Sequence, residues 1–224
     1  MIDGPVLVFG AGHLGRQVLH HLRHQSQARV LGFIDDTRPV GAVAPGGHVC
    51  VGPLEEVARK PGLGPDEVAV VFAIGYSDML GRGRALQRVL AAGYRLRSVI
   101  HSRAVIEPGA VVGEGCIILA NAIVDQNVNI GRGCFLDCAV RIGEDSVVGD
   151  NNYLSSGAAL GGSVRLGSGS FLGMDTTVVT GVSVGSNCFI VAKALVARSL
   201  ADNTKLVQLH KAKEMPLPDG GGVE

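Results

Sequence analysis

Gly10-Ala11-Gly12-His13-Leu14-Gly15 carries the residues best suited to meet a phosphate. Glycines at this spacing let backbone amides approach an anion, and the start of a helix favours negative charge there. His13 lies inside the turn, where it either touches a phosphate or is a solvated residue at a helix start. Asp35-Asp36 closes the next apolar run, Arg29 to Ile34. A carboxylate at such a strand end can accept hydrogen bonds from a ribose or a base. The remaining imidazoles are His20, His21, His24, His48, His101 and His210, so none lies between 102 and 209.

The elements that position these groups follow from the apolar pattern. Pro5 to Phe9, PVLVF, reads as a buried strand running straight into the glycine turn. Leu14, Val18 and Leu22 then recur at helical spacing. Strand, glycine turn, helix, strand and acidic pair make a mononucleotide-binding βαβ unit. The other reading is a turn that only packs helix against strand. Thr37 to Val51 reads as loop, Pro53 to Lys60 as a short helix, and Glu67 to Ile74 as a strand ending at Gly75. Leu86, Val89 and Leu90 mark a helix, and Leu96 to Ile100 a last strand. Residues 1–98 are thus expected to form a small α/β domain of about four parallel strands. That is too short for two βαβαβ halves, so a mononucleotide or nucleotide sugar fits better than NAD.

From Ile100 the chain changes period. Ile100, Ile106, Val112, Ile118, Val124, Ile130 and every sixth residue onward to Val196 are aliphatic, seventeen in succession. Four places after most of them sits a small residue, such as Ala104, Cys116, Cys134 or Ser170. Neither a helix nor a lone strand repeats every six. A short strand plus a tight turn does, and three such units close a triangular coil of eighteen residues. Ile106, Val124, Ile142, Leu160, Val178 and Val196 would stack as one column. Glycines directly after the aliphatic position, as at 131, 143, 167 and 185, are expected to supply turn conformations that side chains forbid. The hexads read as residues 99–201, and the phase is lost from Asp202. Residues 202–224 form an extension with a modest basic cluster, Lys205, His210, Lys211 and Lys213, and a Pro/Gly-rich end that reads as disordered.

Net charge is zero, which gives no reason to expect nucleic acid or an anionic membrane as partner. No run of eighteen apolar residues or signal peptide is present, because Gly4, Gly10 and Gly12 interrupt the first apolar stretch. The five cysteines are odd in number and read as reduced structural residues of a cytoplasmic protein. Cys116 and Cys134 sit one coil apart at corners where a small apolar side chain is expected.

This order of parts resembles the sugar acyltransferases that join an N-terminal Rossmann-like βαβ domain to a left-handed parallel β-helix of hexapeptide repeats. They include sialic acid O-acetyltransferases and N-acetyltransferases of UDP-4-amino-sugars. The resemblance spans residues 4–207 and rests on GAGHLGR, GFIDD at 32–36, FAIG at 72–75, Val99-Ile100-His101 and the unbroken hexads. It implies a homotrimer, with acetyl-CoA or another acyl-CoA in grooves between solenoids and no metal. It also implies a UDP- or dTDP-linked sugar held by the N-terminal domain. Carried over, Gly10, Gly12, His13, Asp35, Asp36 and Gly75 would contact the nucleotide. Tyr153, Gly162, Ala192 and Lys193 would meet the acyl donor, with Arg198 near its phosphates. Left-handedness comes from the resemblance alone.

The chain departs from the family at the base. The usual histidine position is Glu144, with the following acidic residue kept as Asp145, and the family's second histidine falls on Tyr153. The absence of histidine between 102 and 209 argues against a carbonic anhydrase of the same shape, which needs three on a metal. It leaves three readings: Glu144 is the base, another group such as Tyr153 or the substrate itself acts, or the site binds without turning over. A free carboxylate is a weak base near neutral pH unless its surroundings raise its proton affinity. The usual G-x-P-A-K/R ending is also absent, with Val207-Gln208-Leu209-His210-Lys211 in its place.

Overall fold

A computed structural model describes residues 4–25 and 28–208. Strands β1 (Pro5–Phe9), β2 (Arg29–Ile34), β3 (Cys50–Gly52) and β4 (Ala69–Phe72) form one parallel sheet in the order β3-β2-β1-β4. Helices α1 (His13–Gln25), α2 (Leu54–Val57) and α3 (Met79–Ala91) complete this half. Chain order reverses between β1 and β4, which leaves a crevice beyond the carboxyl ends of those strands. Leu7, Phe9, Leu86 and Val89 pack on one face of the sheet. Val6 and Val8 on the other face join Leu14, Val18 and Leu22 of α1.

Several boundaries differ from the sequence reading. The fourth strand is shorter than Glu67 to Ile74. The segment read as loop ends in β3, and the short helix is the single turn α2. Leu96 to Ile100 is no single strand: Leu96 bridges Val70 of the first sheet, while Val99–Ile100 is the first rung of the coil.

The coil consists of two-residue strands in three parallel sheets of seven, six and five rungs. Up to Val196 paired rungs are eighteen residues apart, as Ile106 with Val124 and Ile142 with Leu160. These stacked sheets match a left-handed β-helix. From Ile118 to Val196 the inward aliphatic residues are at most 3% exposed. Each such side chain stabilises the fold by roughly 1.5–3 kcal/mol relative to leaving it in water. The first coil is less covered, and Ile100 is 43% exposed.

The glycines after the aliphatic positions act differently from the expectation. Gly131, Gly143, Gly167 and Gly185 are absent from the left-handed φ region. A Cβ at Gly143 would lie 2.7 Å from the Gly162 amide nitrogen, and one at Gly167 2.6 Å from that of Ser186. They are glycine because the next coil's backbone passes too close for a side chain. The left-handed residue falls two places later and tolerates Asn127, Asp145, Ser163 and Asn187.

The small corner residues also carry more than size. Ser170 Oγ donates to Gly185 O and accepts from Cys188 N, so one coil satisfies backbone groups of the next. Cys116 and Cys134 donate their thiols to Gly131 O and Gly149 O, both at 3.1 Å, so these corners take a donor rather than an inert group. All five cysteines are free.

The coil continues beyond 201, where the sequence reading ended it. Phe189–Ile190 pairs with Lys205–Leu206, and Val184 bridges Leu200, each at a spacing of sixteen. The last coil has lost two residues at a corner, which shifts the phase without ending the stack. His210, Lys211 and Lys213 of the expected basic cluster, and Leu209 to Lys211 of the changed ending, lie outside the described residues. Of that ending, Gln208 is placed, and its Oε1 accepts from Leu195 N at 2.8 Å.

Candidate functional site

The outward residues of the seven-rung sheet are Val99, Ile117, Phe135, Tyr153, Phe171, Phe189 and Lys205. The first five are buried, because α1 and the first sheet dock on them in one apolar cluster. Phe135 and Tyr153 stack with centroids 4.4 Å apart, and Phe171 and Phe189 at 4.7 Å. This docking closes a cavity of about 660 Å³ between the carboxyl ends of β1, β2 and β4 and the coil. All six residues assigned to the nucleotide, Gly10, Gly12, His13, Asp35, Asp36 and Gly75, line it. Tyr153 closes it from the coil side.

The glycine turn is tightly specified. A Cβ at Gly15 would sit 1.9 Å from Gly10 O, and one at Gly10 2.5 Å from Ala73 O. Helix α1 thereby begins against β1 and β4, with its first amides beside the cavity. His13 is exposed on that first turn.

Both carboxylates already have partners within the protein. Asp35 Oδ2 accepts from Ala11 N at 3.0 Å, and Oδ1 accepts from Thr37 N at 2.9 Å and Thr37 Oγ1 at 2.7 Å. Partial burial raises its proton affinity. The Thr37 hydroxyl, the Ala11 and Thr37 amides and nearby Arg38 outweigh that and hold the carboxyl below its ordinary value. Asp36 accepts from Arg88 Nη1 at 2.6 Å and from Leu54 N at 3.3 Å.

The Asp35 bonds give a pH prediction. A carboxyl whose pKa is depressed by folding stabilises the fold above its unfolded value, here 3.8, and loses that effect as pH falls through the folded value. Asp35→Asn is therefore expected to lower the melting temperature more at pH 7 than near pH 3. Melts at the two pH values check this, and an equal loss at both would assign the effect to geometry.

Tyr153 is 7% exposed. Burial, then Asp137, push its phenol well above the ordinary value, so it faces the cavity as a protonated hydroxyl. Tyr76 is 46% exposed, lines the cavity beside it and stacks on Phe171 at 4.5 Å. Tyr76 and Phe171 had no place in the sequence reading. The signal was present: one outward hexad column is uniformly large and apolar, while the others mix Arg141, Ala159 and Thr177, or Asn129, Arg165 and Ser183.

The residues assigned to base and donor lie elsewhere on the chain. Glu144 and Asp145 turn the corner between the six- and five-rung sheets, away from the sheet that carries Tyr153. Glu144 is exposed, and its carboxylate lies over Gly162, where a Cβ would come within 2.1 Å of it. Asp145 holds a left-handed turn position and accepts from Asn127 Nδ2 at 3.1 Å. Ala192 and Lys193 sit at the opposite edge of the six-rung sheet. Between the two edges is an open depression of about 470 Å³ lined by Arg141, Ala159, Gly161 and Thr177. One chain therefore does not bring Glu144 to the cavity, and Tyr153 is apart from Gly162 and Lys193. Among the described residues no group of three His, Cys, Asp or Glu is placed to hold a metal ion. No helix among them is long and apolar enough to cross a membrane.

No family model and no curated protein sequence matches the chain. Solved structures do. A histidine-to-asparagine variant of perosamine N-acetyltransferase from Caulobacter crescentus, in complex with CoA and GDP-perosamine, aligns with a TM-score of 0.81 at 26% identity. The match covers 92% of this chain and 93% of that one. The acetyltransferase domain of PglB from Neisseria gonorrhoeae aligns at 0.77 and 23% identity, over 91% and 96% of the two chains, and shares the fold. WeeI from Acinetobacter baumannii aligns at 0.63 and 20%, over 92% and 97%. From the glycine turn to the last rungs, the chain shares its architecture with the perosamine N-acetyltransferase solved with CoA, and its fold with the PglB acetyltransferase domain.

Proposed function

We propose that the protein transfers an acyl group, acetyl in the first instance, from acyl-CoA to an amino or hydroxyl group of a nucleotide-linked sugar. The observation that carries this is the single cavity lined by all six nucleotide candidates, in a fold shared with an enzyme solved with CoA and GDP-perosamine. The N-terminal half acts as a Rossmann-like binding domain: phosphates lie at the α1 amides, and the nucleoside faces Asp35 and Asp36. The sugar would pass Tyr153 toward the acyl donor. Gly162, Ala192 and Lys193 flank the face along which the pantetheine arm would lie.

The acceptor's lone pair attacks the thioester carbonyl, and the tetrahedral intermediate expels CoA as its thiolate. A base removes the acceptor's proton, which finally goes to the thiolate. Glu144 is the proposed base. Because its corner faces away from its own cavity, it acts on a sugar held by a second copy, as a homotrimer would permit. GDP-linked sugars join UDP- and dTDP-linked ones as candidates because of the relative's ligand. The working compartment is the cytoplasm, where acyl-CoA and nucleotide sugars occur together.

A second reading, a homologue that binds both ligands without turnover, is favoured by the exposure of Glu144. A thiol-release assay with acetyl-CoA and UDP-, dTDP- and GDP-linked amino-sugars separates the two. Thiol release that requires one of these sugars is expected. CoA binding without thiol release for any acceptor would overturn the enzyme.

A further inference from the structure

Arg82 of α3 is 1% exposed, although it carries a charge. Its Nε donates to Ile74 O at 3.0 Å, Nη1 to Asn151 Oδ1, and Nη2 to Gly133 O at 2.9 Å. The guanidinium also lies 5.0 Å from the Phe72 ring centroid and 6.0 Å from that of Tyr153. Every hydrogen-bond acceptor is neutral, and no carboxylate among the described residues pairs with it. Burial pulls the group down to about 10, so it remains a cation at neutral pH. A buried cation without a counter-charge is costly, and its field reaches far in a poorly screened interior.

That field reaches the cavity. Ile74 and Tyr153, both in contact with Arg82, form part of the wall, and no Lys or Arg lines it. The two carboxylates in the wall are matched elsewhere, Asp36 with Arg88 at 2.6 Å and Asp35 beside Arg38 at 3.8 Å. A diphosphate entering the cavity needs positive charge, and Arg82 is a nearby cation that no carboxylate has claimed.

We propose that Arg82 anchors the phosphates of the bound nucleotide electrostatically from behind the cavity wall, as a positioning residue that does not touch the ligand. This rests on the nucleotide reading of the cavity. It separates two roles that a single loss of binding would confuse: pinning α3 to the coil, and supplying charge.

The test is the affinity ratio of diphosphate to nucleoside. Calorimetry would use UDP, GDP and dTDP against uridine, guanosine and thymidine. Wild type is expected to prefer one diphosphate over its nucleoside. Arg82→Gln should cut that ratio by about tenfold or more with the nucleoside affinity unchanged, and Arg82→Lys should keep most of it. Asn151→Gly removes a bond to Arg82 but leaves its charge, so it should lower the melting temperature with the ratio intact. An unchanged ratio in Arg82→Gln, or equal weakening of both ligands, would overturn the proposal. So would a collapsed ratio in Asn151→Gly, which stands even if Arg82→Gln does not fold. Wild type that binds none of the six ligands would instead remove the nucleotide reading, and this inference with it.

Discussion

Glu144→Gln is expected to reduce kcat for thiol release by about a hundredfold or more while the melting temperature hardly moves. The two halves of this expectation come from one geometry. Glu144 is exposed, its carboxylate forms no ion pair among the described residues, and it lies over a glycine. Neutralising such a side chain costs the fold within about 0.5 kcal/mol, so any large effect on turnover is chemical. KM for acetyl-CoA should stay close to wild type. Full retention of kcat would remove Glu144 as the base and leave the acceptor amine to lose its proton to water or to another group.

The largest loss of stability is expected at Asn152. Its side chain is fully buried; Nδ2 donates to Gly149 O and Gly167 O, and Oδ1 accepts from Ser170 N, each at 2.8 Å. Asn152→Ala strands two backbone groups, Gly167 O and Ser170 N, inside a buried corner, while Gly149 O keeps the Cys134 thiol. Each buried group left without a partner costs about 1–3 kcal/mol, so a loss of roughly 2–6 kcal/mol follows. In a chain of this size that lowers Tm by about 5–20 °C. Asn152→Ser should recover part of it, because Ser170 bonds both a carbonyl and an amide from the same corner one coil later. Thermal melts of the two variants check the order, and an alanine variant as stable as wild type would contradict the bond inventory.

The hexads announce the coil because a six-residue rise of backbone has few other solutions, and the rungs fall where the aliphatic residues stand. The glycine turn and Asp35-Asp36 are equally legible, since a βαβ unit brings them to one end of the sheet whatever surrounds it. Tyr76, Arg82 and Asn151 are not legible in this way. Their roles depend on which side of the coil the first sheet docks, and that is set by packing between segments far apart in the chain. The glycines at 131, 143, 167 and 185 were misassigned for a related reason: local rules suggest a turn, whereas the constraint is a neighbouring coil. The end of the coil was placed too early because two missing residues imitate the loss of a repeat.

Those two missing residues have a further effect. A stack of identical rungs offers its terminal edge as a template on which another molecule can add, and repeat proteins need a distinct closing unit to stop it. Here the last turn among the described residues is out of step with the eighteen-residue pitch below it. A second molecule placed end-on would meet a turn two residues short of the pitch its own rungs need, a mismatch that works against growth into a fibre.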